Sequence, residues 1–131
     1  MANQPGCFPP QPGEYPDPYQ YTRDLPLGQW NLMINGRIYW LKITDISGSG
    51  RVTADLSSGT VQDAIWDQVG TASTAGKLAF VRVSGDVRQQ FEGWLFQYSR
   101  QDPFWRMAGT IVHLDNPKAR SAWYGTLPRR Q

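Results

Sequence analysis

Acidic side chains beside an aromatic ring are the feature of this 131-residue sequence that most suggests chemistry. Asp63 and Asp67 flank Trp66 in QDAIWDQ, and Glu92 lies in FEGWLF. Two carboxylates close to a ring is an arrangement that glycosidases use for acid–base hydrolysis. The two aspartates also lie where a predicted strand meets a loop, the usual position of Asx turns, and Arg82 is available as an ion-pair partner. We therefore expect no catalytic pair here.

Metal and nucleophile chemistry lack the residues that they need. His113 is the only histidine and Cys7 the only cysteine, and they are far apart in the sequence. A zinc site needs several such ligands together, so we expect His113 to be structural and no metal or cofactor to be bound. The sequence contains neither a Gly-x-Ser-x-Gly elbow nor a phosphate-binding loop. These patterns predict a protein that is not an enzyme.

The charge is small and unevenly divided. The net charge of +2 consists of −2 for residues 1–26 and +4 for the remainder. Apart from Arg129 and Arg130, arginines are scattered singly along the chain, without the dense basic stripe that is typical of nucleic-acid binding. The apolar runs are too short for a membrane span or a signal peptide. We expect protein partners, with no role for a membrane or nucleic acid.

Short runs rich in Val, Ile, Trp, Tyr and Phe begin after Leu27 and are bounded by turn residues. Asn35 and Gly36, between WNLMI and RIYWLKIT, form the strongest hairpin signal. Six further runs follow, with DQVGTASTAG as a loop between the second and third of them: RVTADLS, TVQDAIW, KLAFVRVS, VRQQFEGWLFQYS, FWRMAGTIVHL and RSAWYGTL. Eight antiparallel strands close naturally into a barrel and so remove exposed edges. We predict an all-β fold with an eight-stranded antiparallel up-and-down barrel over residues 27–131.

The sixth predicted strand carries large side chains on both faces. Trp94 and Phe96 alternate with Phe91 and Leu95. If Phe91 and Leu95 fill the barrel, the other pair forms an exposed apolar stripe, which usually marks a protein interface, and Trp105 on the seventh strand is grouped with it. If the tryptophans point inward, the lumen is packed or holds one small ligand. Alternation alone leaves both arrangements open.

The N-terminal stretch NQPGCFPPQPGEYPDPYQYTRDLP holds seven of the ten prolines in the chain. Prolines fix φ and remove backbone donors, which favours an extended polyproline II ribbon. Phe8, Tyr15, Tyr19 and Tyr21 lie among them, and aromatic rings supply contact area at a low entropic cost. We predict that residues 1–26 form an extended arm that docks on another chain through these four rings.

Gly28-Gln29-Trp30 at the start of the first strand resembles the Gly-x-Trp signature that opens calycin barrels, the lipocalin and avidin-like group. The resemblance implies that Trp30 covers one end of the barrel and packs against a cation near the last strand, for which Arg120 in RSAWYG is the matching position. Over the rest of the barrel the resemblance is one of topology. It does not extend to the loops of a biotin binder, so biotin binding is not implied.

Two functions fit this sequence. The first is a structural or assembly protein whose barrel head and arm dock on neighbouring subunits, in the form of a virion cement or decoration protein by analogy of architecture. Its partners are then capsid or other assembly subunits, it is oligomeric in that context, and its location is the virion. The second is a calycin-like barrel that binds a small ligand or carbohydrate at its mouth. Stacking residues for that ligand are Trp40, Trp66, Trp94 or Trp105. The arm favours the first function, because a carrier has no need of it.

Overall fold

Residues 25–68, 76–96 and 101–129 are described by the computed structural model, and all the regular structure within them is β-strand. The eight strands are β1 (Gly28–Ile34), β2 (Arg37–Ile46), β3 (Val52–Leu56), β4 (Thr60–Gln68), β5 (Gly76–Ser84), β6 (Val87–Phe96), β7 (Phe104–His113) and β8 (Asn116–Pro128). The described part of the chain contains no helix that could cross a membrane. The predicted all-β class and the eight antiparallel strands are confirmed.

The strands form one sheet in the order β3-β2-β1-β8-β7-β6-β5-β4. Neighbours along the chain pair as hairpins, and β8 returns to pair with β1, so that the meander curls into a barrel. Between β3 and β4 the described residues form one isolated bridge, Arg51 to Ile65, and Trp66 N donates to Gly50 O at 2.8 Å. The barrel is therefore nearly closed, with a seam at β3–β4.

The two ends of the barrel are distinguished by the chain segments that lie there. β1 begins and β8 finishes at one end, which we call the arm end because residues 1–24 precede it. The turn of Asn35 and Gly36 lies at the opposite, far end, where both residues adopt positive φ as a tight hairpin requires. β8 also begins at the far end, at Asn116, and so includes part of the segment that the sequence indicated as a turn.

Inward side chains fill the barrel with apolar groups. On β6, Phe91 and Leu95 are each 1% exposed, whereas Trp94 is 42% exposed, so the sequence alternative with an outward Trp94 is the correct one. Phe91 stacks on Phe80 with ring centroids 4.7 Å apart. The other fully buried side chains are Trp30, Leu32, Leu41, Ile43, Leu78, Met107 and Ile111.

Glycines in the long strands make room for a tryptophan. Gly93 on β6 lies opposite Gly109 on β7. A Cβ on Gly93 would lie 2.3 Å from the Trp123 ring, so the indole occupies the space that a side chain would take. Trp123 Nε1 donates to the carbonyl of Glu92 at 3.1 Å. Gly109 lets the backbone of β6 approach closely, because a Cβ there would overlap the carbonyl oxygen of Glu92, and the Trp123 ring packs the middle of the lumen.

Trp30 closes the arm end. Its side chain is 0% exposed, and its Nε1 donates to the carbonyl of Pro26 at 3.1 Å. Leu25 is 5% exposed and belongs to the core, so Leu25 and Pro26, which the sequence placed in the arm, pack on the barrel. Residues 1–24 and 69–75 lie outside the described residues, and with them the predicted arm and most of the predicted loop.

The expected contact between Trp30 and Arg120 is wrong. Arg120 lies opposite Val112 near the start of β8, and its Nε donates to Pro117 O at 3.3 Å. The register of β1 with β8 places Asn31 opposite Thr126, six residues further along β8. Arg120 is therefore towards the far end, away from Trp30.

Replacing Trp30 by Ala should lower the free energy of unfolding by about 3 to 5 kcal/mol, because it leaves a cavity in a sealed barrel end. Trp94→Ala is the matched control on the outer wall, and we expect it to cost less than about 1 kcal/mol. Urea denaturation followed by circular dichroism measures both. Equal losses in the two variants would contradict the assignment of Trp30 to the core.

Candidate functional site

A continuous row of outward side chains runs around the barrel wall. Along the hydrogen-bonded ladders, Trp94 lies opposite Ala108 and Ala108 opposite Tyr124. Tyr124 in turn lies opposite Met33, and Met33 opposite Ile38, which carries the row from β6 to β2. Each of these residues has a buried or partly buried neighbour on its own strand, so all five face outward. At about 4.8 Å per strand the row is about 19 Å long.

A second row lies beside the first, nearer to the arm end. It begins with Phe96 on β6 and finishes with Trp40 on β2, with polar or charged residues between them. The two rows together form a surface that we call the outer band. Its apolar and aromatic members are Met33, Ile38, Trp40, Trp94, Phe96, Ala108 and Tyr124, and its polar members, all in the second row, are Asn31, Arg106 and Thr126.

The outer band is strongly apolar for a surface. Ile38 is 70% exposed, Met33 44% and Trp40 37%, close to the value for Trp94. Single exposed apolar residues are ordinary, but a contiguous group of this kind usually marks a site of contact with another protein. The interfaces of proteins are enriched in Trp, Tyr, Phe and Met, which supply the large apolar side chains of the band apart from Ile38.

Charged groups border the band on its β5 side. Lys77 Nζ lies 5.9 Å from the centroid of the Trp94 ring and 3.6 Å from Glu92 Oε2. Glu92 is therefore engaged by a cation beside the band. The other two candidate carboxylates, Asp63 and Asp67, are exposed on β4, where Asp63 sits at a bulge with a φ of +53°. Glu92, on β6, is separated from them by β5, so the three acids form no shared pocket.

A buried ion pair supports the centre of the band. The Asp102 side chain is 2% exposed and accepts from Arg106 Nε at 2.8 Å and from Phe104 N at 3.1 Å. Arg106 also donates to the hydroxyl of Tyr124, which ties that ring to the ion pair. The hydrogen bond to Asp102 holds the pKa of the Arg106 guanidinium above its ordinary value, so Arg106 remains charged. The hydrogen bond from Arg106 fixes the position of the Tyr124 ring. The sequence alone did not predict this ion pair.

Trp105 does not belong to the band, and grouping it with Trp94 and Phe96 was wrong. It shares the inward parity of Met107 on β7 and is partly buried against the core at the arm end. The guanidinium of Arg129 lies 5.2 Å from the centre of its ring, and Arg129 Nη1 donates to Asp102 O at 3.0 Å. Trp105 thus helps to form the rim of the arm end.

A cavity of about 400 Å³ opens at the far end of the barrel. Its polar side is organised by Arg82, which donates to Gln89 Oε1 at 2.7 Å and to Ser58 O at 2.9 Å. Gln89 in turn lies 3.3 Å from His113 Nε2, so His113 takes part in a structural hydrogen-bond network. The described lining residues are Ile34, Asn35, Arg37, Tyr39, Leu56, Arg82, Gln89 and Phe91.

The four tryptophans considered for ligand stacking lie away from this cavity. Trp66 is 5% exposed in the core, Trp40 and Trp94 face outward, and Trp105 is at the arm end. Within residues 25–68, 76–96 and 101–129, no three His, Cys, Asp or Glu side chains are grouped so that they could hold a metal ion. Phe8, Tyr15, Tyr19 and Tyr21 lie outside these ranges and remain predicted contact residues.

Asp102→Asn should lower the melting temperature by several degrees, because it leaves the guanidinium of Arg106 without its carboxylate partner in a largely buried position. Asp86→Asn, in the exposed turn between β5 and β6, is the matched control and should leave the melting temperature unchanged. Thermal unfolding followed by circular dichroism tests both variants. Identical melting temperatures would show that the ion pair does not stabilise the wall.

Comparison with protein-family models, curated proteins and solved structures gives no match for this chain. The resemblance to calycin barrels therefore remains a prediction from the sequence. The function has to be argued from the geometry, and the outer band and the far-end cavity are the two sites that offer an argument.

Proposed function

We propose that this protein is a non-enzymatic assembly protein whose barrel head docks on neighbouring protein subunits through the outer band. The observation that carries the proposal is the continuous row from Trp94 to Ile38, which leaves large apolar side chains in contact with water. Burying them against a partner removes apolar surface from water, and this contributes a favourable free energy of about 25 cal/mol for each Å² of apolar surface buried.

The shape and charge of the band favour a protein partner over other ligands. Small molecules bind in concave pockets, whereas the outer band follows the convex wall of a barrel. Nucleic acid requires a dense set of free cations for its phosphates, but Arg106 is held by Asp102 and Tyr124 and Lys77 by Glu92, which leaves Lys42 as a single exposed lysine at the border of the band. A protein surface with a complementary apolar face suits both the convex shape of the band and its lack of a dense set of free cations.

The specific form of this proposal is a virion cement or decoration protein. A small barrel head that carries a long extended arm suits the joints between the subunits of a shell, with the head on one subunit and the arm across another. The predicted reach of the arm, with its seven prolines, supports this role. This step rests on architecture, and capsid subunits are the partners proposed.

Ile38→Ser combined with Trp94→Ser should reduce binding to capsid shells at least tenfold, since it removes two exposed apolar anchors from opposite ends of the row. Ile65→Ser combined with Val87→Ser is the matched control, because these residues are also exposed but lie outside the band. Co-sedimentation with purified empty shells measures the binding. If both double variants bind as the unmodified chain does, the band is not the docking surface.

A second candidate function is favoured by the far-end cavity. Its apolar floor includes Phe91, and Arg37 and Asn35 line its mouth. A small ligand with an apolar body and an acidic group would match this lining, in keeping with the calycin-like alternative. Arg82 is held in the wall of the cavity by its hydrogen bonds to Ser58 and Gln89, whereas Arg37 is exposed at the mouth of the cavity.

The fluorescent anion anilinonaphthalene sulfonate should bind at one saturable site if the cavity accepts such ligands. Arg37→Gln should then weaken binding several-fold through the loss of one cation. Arg51→Gln, an exposed arginine at the opposite end of the barrel, should leave the affinity unchanged. A titration with no saturable site would exclude this class of ligand from the cavity.

A further inference from the structure

We infer that the outer band of one copy is covered by the N-terminal arm of a second copy of this chain. The inference rests on the proposed function, since it takes the band as a protein-docking surface and names one occupant. It goes further by assigning the partner to the chain itself. The pair would form before either copy meets any other subunit.

The chemistry of the arm matches that of the band. Extended proline-rich segments bind surfaces lined by aromatic side chains, because they are already ordered and lose little entropy. The arm intersperses its prolines with Phe8, Tyr15, Tyr19 and Tyr21. The band offers Trp94 at one side and Trp40 at the other.

Charge also favours contact between an arm and a barrel of the same protein. Residues 1–26 carry a net charge of −2 and the rest of the chain +4. Lys42 lies on the outer face of β2, two residues beyond Trp40, and is exposed at the arm-end border of the band. An acidic arm is thus attracted to the barrel of another copy rather than repelled by it.

The anchor point and the length of the arm allow it to reach a neighbouring copy. Leu25 is anchored in the core at the arm end, and it precedes Pro26, which restricts Leu25 to extended backbone. Residues 1–24 would span about 74 Å as a polyproline II ribbon. The longest strand, β8, has 13 residues and spans about 43 Å. The arm therefore outreaches its own barrel and is long enough to cross a neighbouring one.

Two copies that exchange arms form a closed arrangement. Each copy supplies one arm and one band, so a pair related by a two-fold axis uses both arms and covers both bands. Such a pair leaves no free arm or band for a third copy of the chain, and a shell subunit has to displace an arm in order to reach a band. We therefore expect a dimer rather than an open chain of copies.

Size-exclusion chromatography with light scattering of the full chain tests the inference. The unmodified chain should have twice the mass of one copy. A band variant (Ile38→Ser with Trp94→Ser) and a ring variant (Ser at Phe8, Tyr15, Tyr19 and Tyr21) should each have the mass of one copy. The control pair of Ile65→Ser with Val87→Ser should remain dimeric, because these exposed apolar residues lie outside the band.

Mixing provides a sharper test. The band variant retains a working arm, and the ring variant retains a working band, so an equimolar mixture should form mixed dimers joined by one arm on one band. Both variants are first shown to unfold with the same transition as the unmodified chain. If the band variant is misfolded, the single change Ile38→Ser, at the most exposed large apolar side chain in the band, replaces it and should weaken dimerisation at least fivefold.

Cys7 allows the arm to be traced directly, since it is the only cysteine. A photoreactive benzophenone attached to Cys7 should give cross-linked dimers in the unmodified chain and much less in the band variant. Cross-links confined to single chains would show that the arm covers its own band, and this would overturn the inference. A dimeric ring variant would overturn it as well.

The two proposals fail in different ways. If the unmodified chain is monomeric but still binds capsid shells through its band, the exchange of arms is refuted and the assembly function stands. If the chain dimerises as described but no shell binds it, the virion role is refuted and the exchange stands.

Discussion

Antiparallel pairing of β1 with β8 turns a linear series of hairpins into a wall, and the other features of the molecule depend on it. The pairing places Met33 beside Tyr124, which joins the outward residues of β1 and β2 to those of β6, β7 and β8. Without it the outer band would be two separate groups at distant edges of a sheet. The same pairing brings the start of β1 and the end of β8 to one end, so that Pro26, just before β1, lies near the rim formed by Trp105 and Arg129.

The interior and exterior of the barrel divide the aromatic residues between stability and contact. Inside, Trp123 fits against Gly93 and Trp66 against Gly76, and a Cβ on Gly76 would lie 2.0 Å from the Trp66 ring. These pairings of a large ring with a glycine fill a narrow lumen without distorting the strands. The rings of Trp40 and Trp94 face outward instead, where they contribute little to the stability of the isolated barrel. Their apolar surface is unfavourable in water, and this favours contact with a partner.

Most of the fold could be predicted from local patterns, because turn chemistry and alternation act over a few residues. The Asn35-Gly36 hairpin and the eight apolar runs are signals of this kind. The candidate site depends on registers between strands, which no local pattern specifies. Trp105 illustrates the difficulty: it looks like Trp94 in the sequence, but its parity with buried Met107 places it on the inner side. The ion pair of Asp102 and Arg106 was also missed, since acids and arginines are scattered throughout the chain.

The seam between β3 and β4 has a consequence for the motions of the barrel. In the ring of strands it lies opposite β8 and β7, and so on the far side of the molecule from the middle of the outer band. Because one bridge and few backbone hydrogen bonds join the described residues there, separation of β3 from β4 is the least costly opening of the wall. A partner bound to the band would make no contact that holds β3 and β4 together. Opening of the seam would therefore leave the outer band, which lies on β6, β7, β8, β1 and β2, in place.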